Sequence, residues 1–123
     1  MGNRAGAENL LCVVRGAKSV QLWPPGCAPL LYPGGGESAL FSRADIFEPD
    51  LQAWPLLERA LPLALRAHLG PGDALYLPCG WWHAVQTTTP PDGEAAMSIS
   101  YWARQPDSKV ARTEGGEAAG FRL

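Results

Sequence analysis

His83 closes the run Pro78-Cys79-Gly80-Trp81-Trp82-His83, the most aromatic neighbourhood of the chain. A neutral ring nitrogen in such a setting is suited to bind a metal ion or to accept a proton. A histidine beside two tryptophans equally suits a packed, hydrogen-bonded core position, and residue types alone favour that plainer reading. The remaining chemistry-bearing side chains are sparse. Cys12, Cys27 and Cys79 are an odd count, with neither the C-x-x-C spacing of a zinc site nor a disulfide framework, so reduced thiols are expected. Pro33-Gly34-Gly35-Gly36 lacks the following Gly-Lys-Ser/Thr of a phosphate-cradling loop and reads as a turn. A hydrolytic set of His83, Asp73 and Ser98 has no Gly-x-Ser-x-Gly elbow to support it.

To present His83, the chain must turn sharply just before it. Pro71-Gly72-Asp73 is a tight turn, Ala74 to Leu77 is an apolar run too short for a helix, and Pro78-Cys79-Gly80 breaks it before a second β-forming run at His83-Ala84-Val85. That pattern predicts strand, corner, strand. Upstream, Leu10 to Val14 and Lys18 to Trp23 are two short apolar or alternating runs joined at Arg15-Gly16-Ala17, which predicts a β-hairpin with one buried face, stopped by Pro24-Pro25. Residues 26–50 form a connection long enough either to carry function or to cover something. Asp50 is a plausible cap for a short helix over 50–60, interrupted at Pro55 and ended by Pro62. Leu63 to Leu69 alternates as a strand, Pro90-Pro91-Asp92-Gly93 is a turn, and Ala95 to Ala103 reads as a returning strand.

The totals set bounds on what these elements build. The chain has 123 residues, 46% of them hydrophobic and 18% charged, which suits one globular domain. Its 12 prolines and 14 glycines argue against long helices and for a mainly β fold with many corners. A net charge of −2 without a Lys/Arg cluster lacks the electrostatic footprint of a nucleic-acid binder. No apolar stretch reaches the ~18 residues of a membrane span and no secretory leader is visible, so a cytoplasmic or nuclear location is expected. Residues 1–8 read as a loose lead-in, 9–103 as the domain, and 104–123, rich in Gly, Glu and Ala, as a mobile or weakly helical tail.

Several motifs occur together in a telling order: Asn9-Leu10-Leu11 with Gly16-Ala17-Lys18, then Pro24-Pro25, Leu31-Tyr32-Pro33, Pro49-Asp50-Leu51, Pro71-Gly72-Asp73, Trp81-Trp82-His83 and Ser98-Ile99-Ser100-Tyr101-Trp102. As a set, over residues 9–103, they resemble the JmjC and cupin-like hydroxylases of the factor-inhibiting-HIF type. The resemblance implies a cupin-type double-stranded β-helix, or jelly-roll, with a short helix in its long connection. It also implies Fe(II), held by two histidines and a carboxylate, and 2-oxoglutarate as co-substrate. On that pattern His83 matches the distal histidine ligand. Lys18 matches the lysine that pairs with the outer carboxylate of 2-oxoglutarate, although a solvated lysine at a hairpin end reads as well. Asn9 and Ser100 match polar positions near the co-substrate. Tyr76, Trp81, Trp82 and Trp102 would form an aromatic wall that excludes water.

The same pattern exposes a departure. The family's His-x-Asp/Glu motif falls on Asn3 and Ala5, so two of three metal ligands are absent. Glu8, the nearest carboxylate, has the opposite strand parity to residues 3, 5 and 9 and is expected to face away. The barrel is expected to be incomplete at its N-terminus, as in a truncated hydroxylase or a degenerate paralogue, with an open sheet edge favouring homo-oligomerisation. The expected function is that of a protein resembling 2-oxoglutarate- and Fe(II)-dependent hydroxylases or demethylases, inactive or impaired as this chain. The alternative is a non-catalytic cupin-like module that binds a protein or peptide.

Overall fold

The computed structural model describes residues 3–4, 7–103 and 120–122. Among the described residues eight strands occur in this order: β1 Asn3–Arg4, β2 Glu8–Arg15, β3 Ala17–Trp23, β4 Leu65–Leu69, β5 Asp73–Leu77, β6 Trp82–Thr88, β7 Met97–Ala103 and β8 Gly120–Arg122. They build two four-stranded sheets, β1-β6-β3-β4 and β7-β2-β5-β8, in which every pairing is antiparallel. The mainly β, jelly-roll-like architecture expected from the sequence is therefore present.

The strand runs are where alternation puts them, but their partners differ from the expectation. β2 and β3 are not a hairpin. β2 pairs with β5 and β7, whereas β3 pairs with β4 and β6, and the chain crosses from one sheet to the other at Gly16. One linking residue is too short for the usual two-residue hairpin loop, and Gly16 takes φ +80°, a turn that sends β3 to the facing sheet. β5 and β6 likewise lie in different sheets on either side of the 78–81 corner.

Both crossings serve one core. Leu11 and Val13 from β2, Val20 and Leu22 from β3, and Leu75 and Leu77 from β5 are buried together, with Leu69, Val85 and Trp81 against them. A second core lies on the other face of the β1-β6-β3-β4 sheet, where Trp23, Trp82 and Ala84 pack beneath Cys27, Leu31, Ile46 and Leu57 of the long connection. The connection thus covers a sheet face. It is pinned there by buried hydrogen bonds: Trp23 Nε1 donates to the Ala60 carbonyl at 2.8 Å, and Ser42 Oγ donates to the Leu31 carbonyl at 2.7 Å.

Three local expectations change. The helix over 50–60 shrinks to α1, Leu57–Ala60, followed by a 3-10 turn at Leu61–Leu63. Asp50 caps the preceding turn instead, its Oδ1 accepting the Gln52 and Ala53 N–H groups at 3.0 and 3.1 Å. Pro55 separates that turn from α1, and Pro62 sits at the start of the 3-10 turn, where its missing N–H costs nothing. Within the stretch read as a loose lead-in, Asn3–Arg4 pairs with β6 and Glu8 opens β2. Of the 104–123 tail, 104–119 and 123 lie outside the described residues, while Gly120–Arg122 pairs with β5 instead of coiling.

Candidate functional site

Strand register fixes which candidate side chains share a face. His83 is the partner of Leu22 on one side and of Asn3 on the other. Since Leu22 is an inner-core residue, His83 faces the space between the sheets. Asn9 pairs with Leu77, also an inner-core residue, so it faces the same space from the opposite sheet. Both lie at the end of the sandwich next to the 78–81 corner.

Both side chains are buried, and each carries one polar atom left unpaired. Asn9 is 5% exposed and His83 8%, and neither Asn9 Oδ1 nor His83 Nδ1 has a hydrogen-bond partner. Native interiors rarely leave such atoms unpaired, and those that remain call for an explanation. Burial pushes the His83 imidazole below its ordinary pKa, against a smaller upward pull from the Trp81 backbone, so the ring is neutral at pH 7 and offers a free nitrogen lone pair.

Lys18 has the parity of Val20 and Leu22 and so belongs to the inner face. It stands at the far end of β3. Its Nζ donates to Thr87 Oγ1 at 2.8 Å, and Thr87 is its register partner on β6. Lys18 and His83 are thus separated by four positions along the sheet, about 13 Å of strand, with core aliphatics between them. Thr87 is a residue that sequence reasoning missed. Its signal was parity, two alternations along β6 from His83. Ser100 pairs with Leu11 and shares its face, but lies on the exposed edge strand β7.

The expected aromatic wall does not form around His83. Trp81 packs against the inner core, but Trp82 has the opposite parity to His83 and is buried under the long connection. Trp102 is exposed on β7. Tyr76 faces the outer side of its sheet, where its hydroxyl donates to Glu8 Oε2, which also accepts the Cys79 N–H at 3.2 Å. The hydrogen bond to this carboxylate, aided by burial, pushes the Tyr76 phenol up to about 12. Glu8 therefore ties the start of β2 to the corner that delivers His83, and does so on the face away from the imidazole. The hydrolytic set also falls apart: Asp73 Oδ2 accepts the Gly70 N–H at 2.9 Å, and Ser98 sits opposite Val13 on exposed β7.

These residues do not fit a two-histidine, one-carboxylate iron centre. Among the described residues no group of three or more His, Cys, Asp or Glu side chains is placed to hold a metal ion. The position opposite His83 is an asparagine, a residue type whose neutral amide is a poor Fe(II) ligand. Among the described residues no helix is long and apolar enough to cross a membrane.

Comparison with known proteins agrees with the architecture. The profile of the Cupin-like domain family matches residues 4–109. The chain is 38% identical over 97 residues to the Lysine-specific demethylase JMJ31 of Arabidopsis thaliana, covering 77% of this chain and 17% of that protein. It is 35% identical over 109 residues to human HSPB1-associated protein 1, covering 86% of this chain and 21% of that protein. It is 37% identical over 96 residues to the Jumonji C domain-containing protein 5 of Drosophila melanogaster, covering 77% and 22%. The chain thus spans about a fifth of the length of these relatives.

Proposed function

The chain belongs to the JmjC/cupin-like domain family, and from that premise we propose that it is a non-catalytic member of it. It keeps the pocket framework of a 2-oxoglutarate- and Fe(II)-dependent protein hydroxylase or demethylase and serves as a module that engages a protein or peptide. The observation that carries this reading is the register pair Asn3–His83: where the neighbouring strand meets the retained histidine, it brings an amide residue type. His83 alone supplies one neutral nitrogen, which is too little for a hexacoordinate hard cation. Lys18, held by Thr87 at the far end of β3, and Asn9, beside His83 at the corner end, each keep a group that could meet a carboxylate, but about 13 Å of strand separates the two ends, so they do not build one organic-acid site.

The relatives' names, a lysine-specific demethylase and an HSPB1-associated protein, support a protein as the partner class. Cys12, Cys27 and Cys79, none of them in a disulfide, support a reducing compartment, the cytoplasm or nucleus.

Titration of the purified chain with Fe(II) or Mn(II), with and without 2-oxoglutarate and with His83→Ala as control, tests the proposal. The expected result is no saturable metal binding in either protein. Micromolar or tighter binding that disappears in His83→Ala would overturn it and restore an oxygenase reading.

A further inference from the structure

At the corner end of the space between the sheets, Asn9 and His83 are buried although each keeps an unpaired polar atom. The 78–81 corner stands beside them. Trp81 lies two residues before His83 and so has its parity, and its side chain packs, partly buried, against the inner core. The backbone folds over at Gly80, which takes φ +86°, and the Trp81 N–H donates to the Pro78 carbonyl at 3.2 Å.

A tie that holds this corner down lies on the opposite face of the sheet. Glu8 Oε2 accepts the Cys79 N–H at 3.2 Å and the Tyr76 hydroxyl, so one carboxylate oxygen joins the start of β2 to the end of β5 and to the corner itself. Glu8 precedes Asn9 in β2, and the two side chains leave the strand on opposite faces. We propose that residues 78–81 are a gate on the corner end of the sandwich, with Gly80 as hinge, Trp81 as plug and Glu8 as latch. When the gate is closed, Glu8 holds the Cys79 amide and Trp81 covers His83. When it opens, Glu8 releases that amide, the backbone turns at Gly80, and Trp81 swings away from His83 and Asn9.

The parts suit such a motion. Glycine changes φ and ψ more freely than any other residue because it has no Cβ. The gate residues also lie outside both ladders: β5 stays paired with β2 up to Leu77, and β6 stays paired with β3 from Trp82 onward. Opening therefore releases local bonds and a partly buried indole without breaking a strand pairing. Local openings draw on short segments of this kind, set between elements that remain folded. Trp82 is 2% exposed beneath the long connection and serves as the fixed post on which the gate turns.

Diethyl pyrocarbonate, which acylates accessible neutral imidazole, reads the gate, because the chain has 2 histidines and His68 is exposed on β4. With the sites resolved by mass spectrometry, the wild-type chain is expected to react fast at His68 and slowly at His83. Glu8→Ala is expected to raise the His83 rate roughly 10- to 100-fold, the scale of hydrogen bonds to a charged group, and to leave His68 unchanged. Tyr76→Phe keeps the ring and removes one bond to Glu8, so a smaller rise in the same direction is expected; it carries the test if circular dichroism shows that Glu8→Ala does not fold. Gly16→Ala, at the other end of β2, is expected to leave the His83 rate unchanged in the absence of denaturant. No rise in the latch variants overturns the proposal. A rise in Gly16→Ala as large as in Glu8→Ala also overturns it, since His83 would then be reached by unfolding of the whole domain. None of these rates depends on metal binding at His83.

Discussion

Replacing Asn9 with leucine should stabilise this protein, which is an unusual expectation for a residue buried beside a candidate pocket. The side chain is 5% exposed, faces the inner core opposite Leu77, and carries an amide oxygen with no hydrogen-bond partner. A buried, unpaired polar group costs about 1–3 kcal/mol. Leucine has the same branched four-heavy-atom outline but a larger volume, so the cost of fitting it offsets what its apolar contact with Leu77 and its neighbours adds, while the removed cost of the unpaired amide remains as the gain. The net expectation for Asn9→Leu is about 1–3 kcal/mol of added stability, equivalent to a rise of roughly 4 °C in Tm for each kcal/mol at this chain length. Urea unfolding followed by fluorescence of the five tryptophans measures it directly. The midpoint should move up with the slope m unchanged, the signature of a stability change without a change in compactness. A midpoint that falls at unchanged m would refute the reasoning, since it would mean that the amide is satisfied in the folded state. Stability gained at such a position is what a retained binding residue predicts, because polar groups held ready for a ligand are costly to the empty fold.

Two further outcomes follow from the same geometry. Gly16→Ala should destabilise by about 2–4 kcal/mol, because a Cβ there would lie 2.8 Å from both Ala96 Cβ and the Thr88 carbonyl oxygen in a residue held at φ +80°; equilibrium unfolding of the variant checks this. His83 should make folding sensitive to acid. Burial depresses its pKa in the folded state, so as pH falls through the ordinary histidine value of about 6.5 the unfolded chain takes up a proton that the folded chain refuses. Stability is then lost toward lower pH, at no more than about 1.4 kcal/mol per pH unit for this one group, and is flat above that value. Urea midpoints for wild type and His83→Leu between about pH 5.5 and about pH 7.5, one unit either side of the ordinary value, should keep a constant difference at the upper end and change it only at the acid end.

The sequence made the strands legible and left their partners hidden. Alternation at Leu11 and Val13, and at Val20 and Leu22, reports one buried face per strand, and those faces are indeed buried. It does not report which strand lies alongside, and two alternating runs separated by a glycine look the same whether they pair or face each other across a sandwich. The two-residue strand at Asn3–Arg4 is too short to carry any period. At the site, the position of His83 could be read from its Pro-Cys-Gly corner, and the outward direction of Glu8 from its parity. The aromatic wall could not, because clustering in sequence says nothing about sides: Trp81 and Trp82 are neighbours in the chain and enter different cores. Thr87 drew no notice as an isolated threonine and gained meaning only from its bond to Lys18.

Apart from β3 and β4, no two neighbouring strands in either sheet follow one another along the chain. One joins the first, sixth, third and fourth strands, and the other the seventh, second, fifth and eighth. During synthesis β2 has no partner when it emerges, and it acquires β5 and then β7 only after nearly the whole described chain has been made. The entropic cost of closing those large loops precedes any reward from pairing, so folding is expected to be slow for a chain of this size. In that interval the apolar strands of an unfinished sandwich stand open to other nascent chains, which makes this a polypeptide whose yield in the cell depends on how long it is shielded while its last strands arrive.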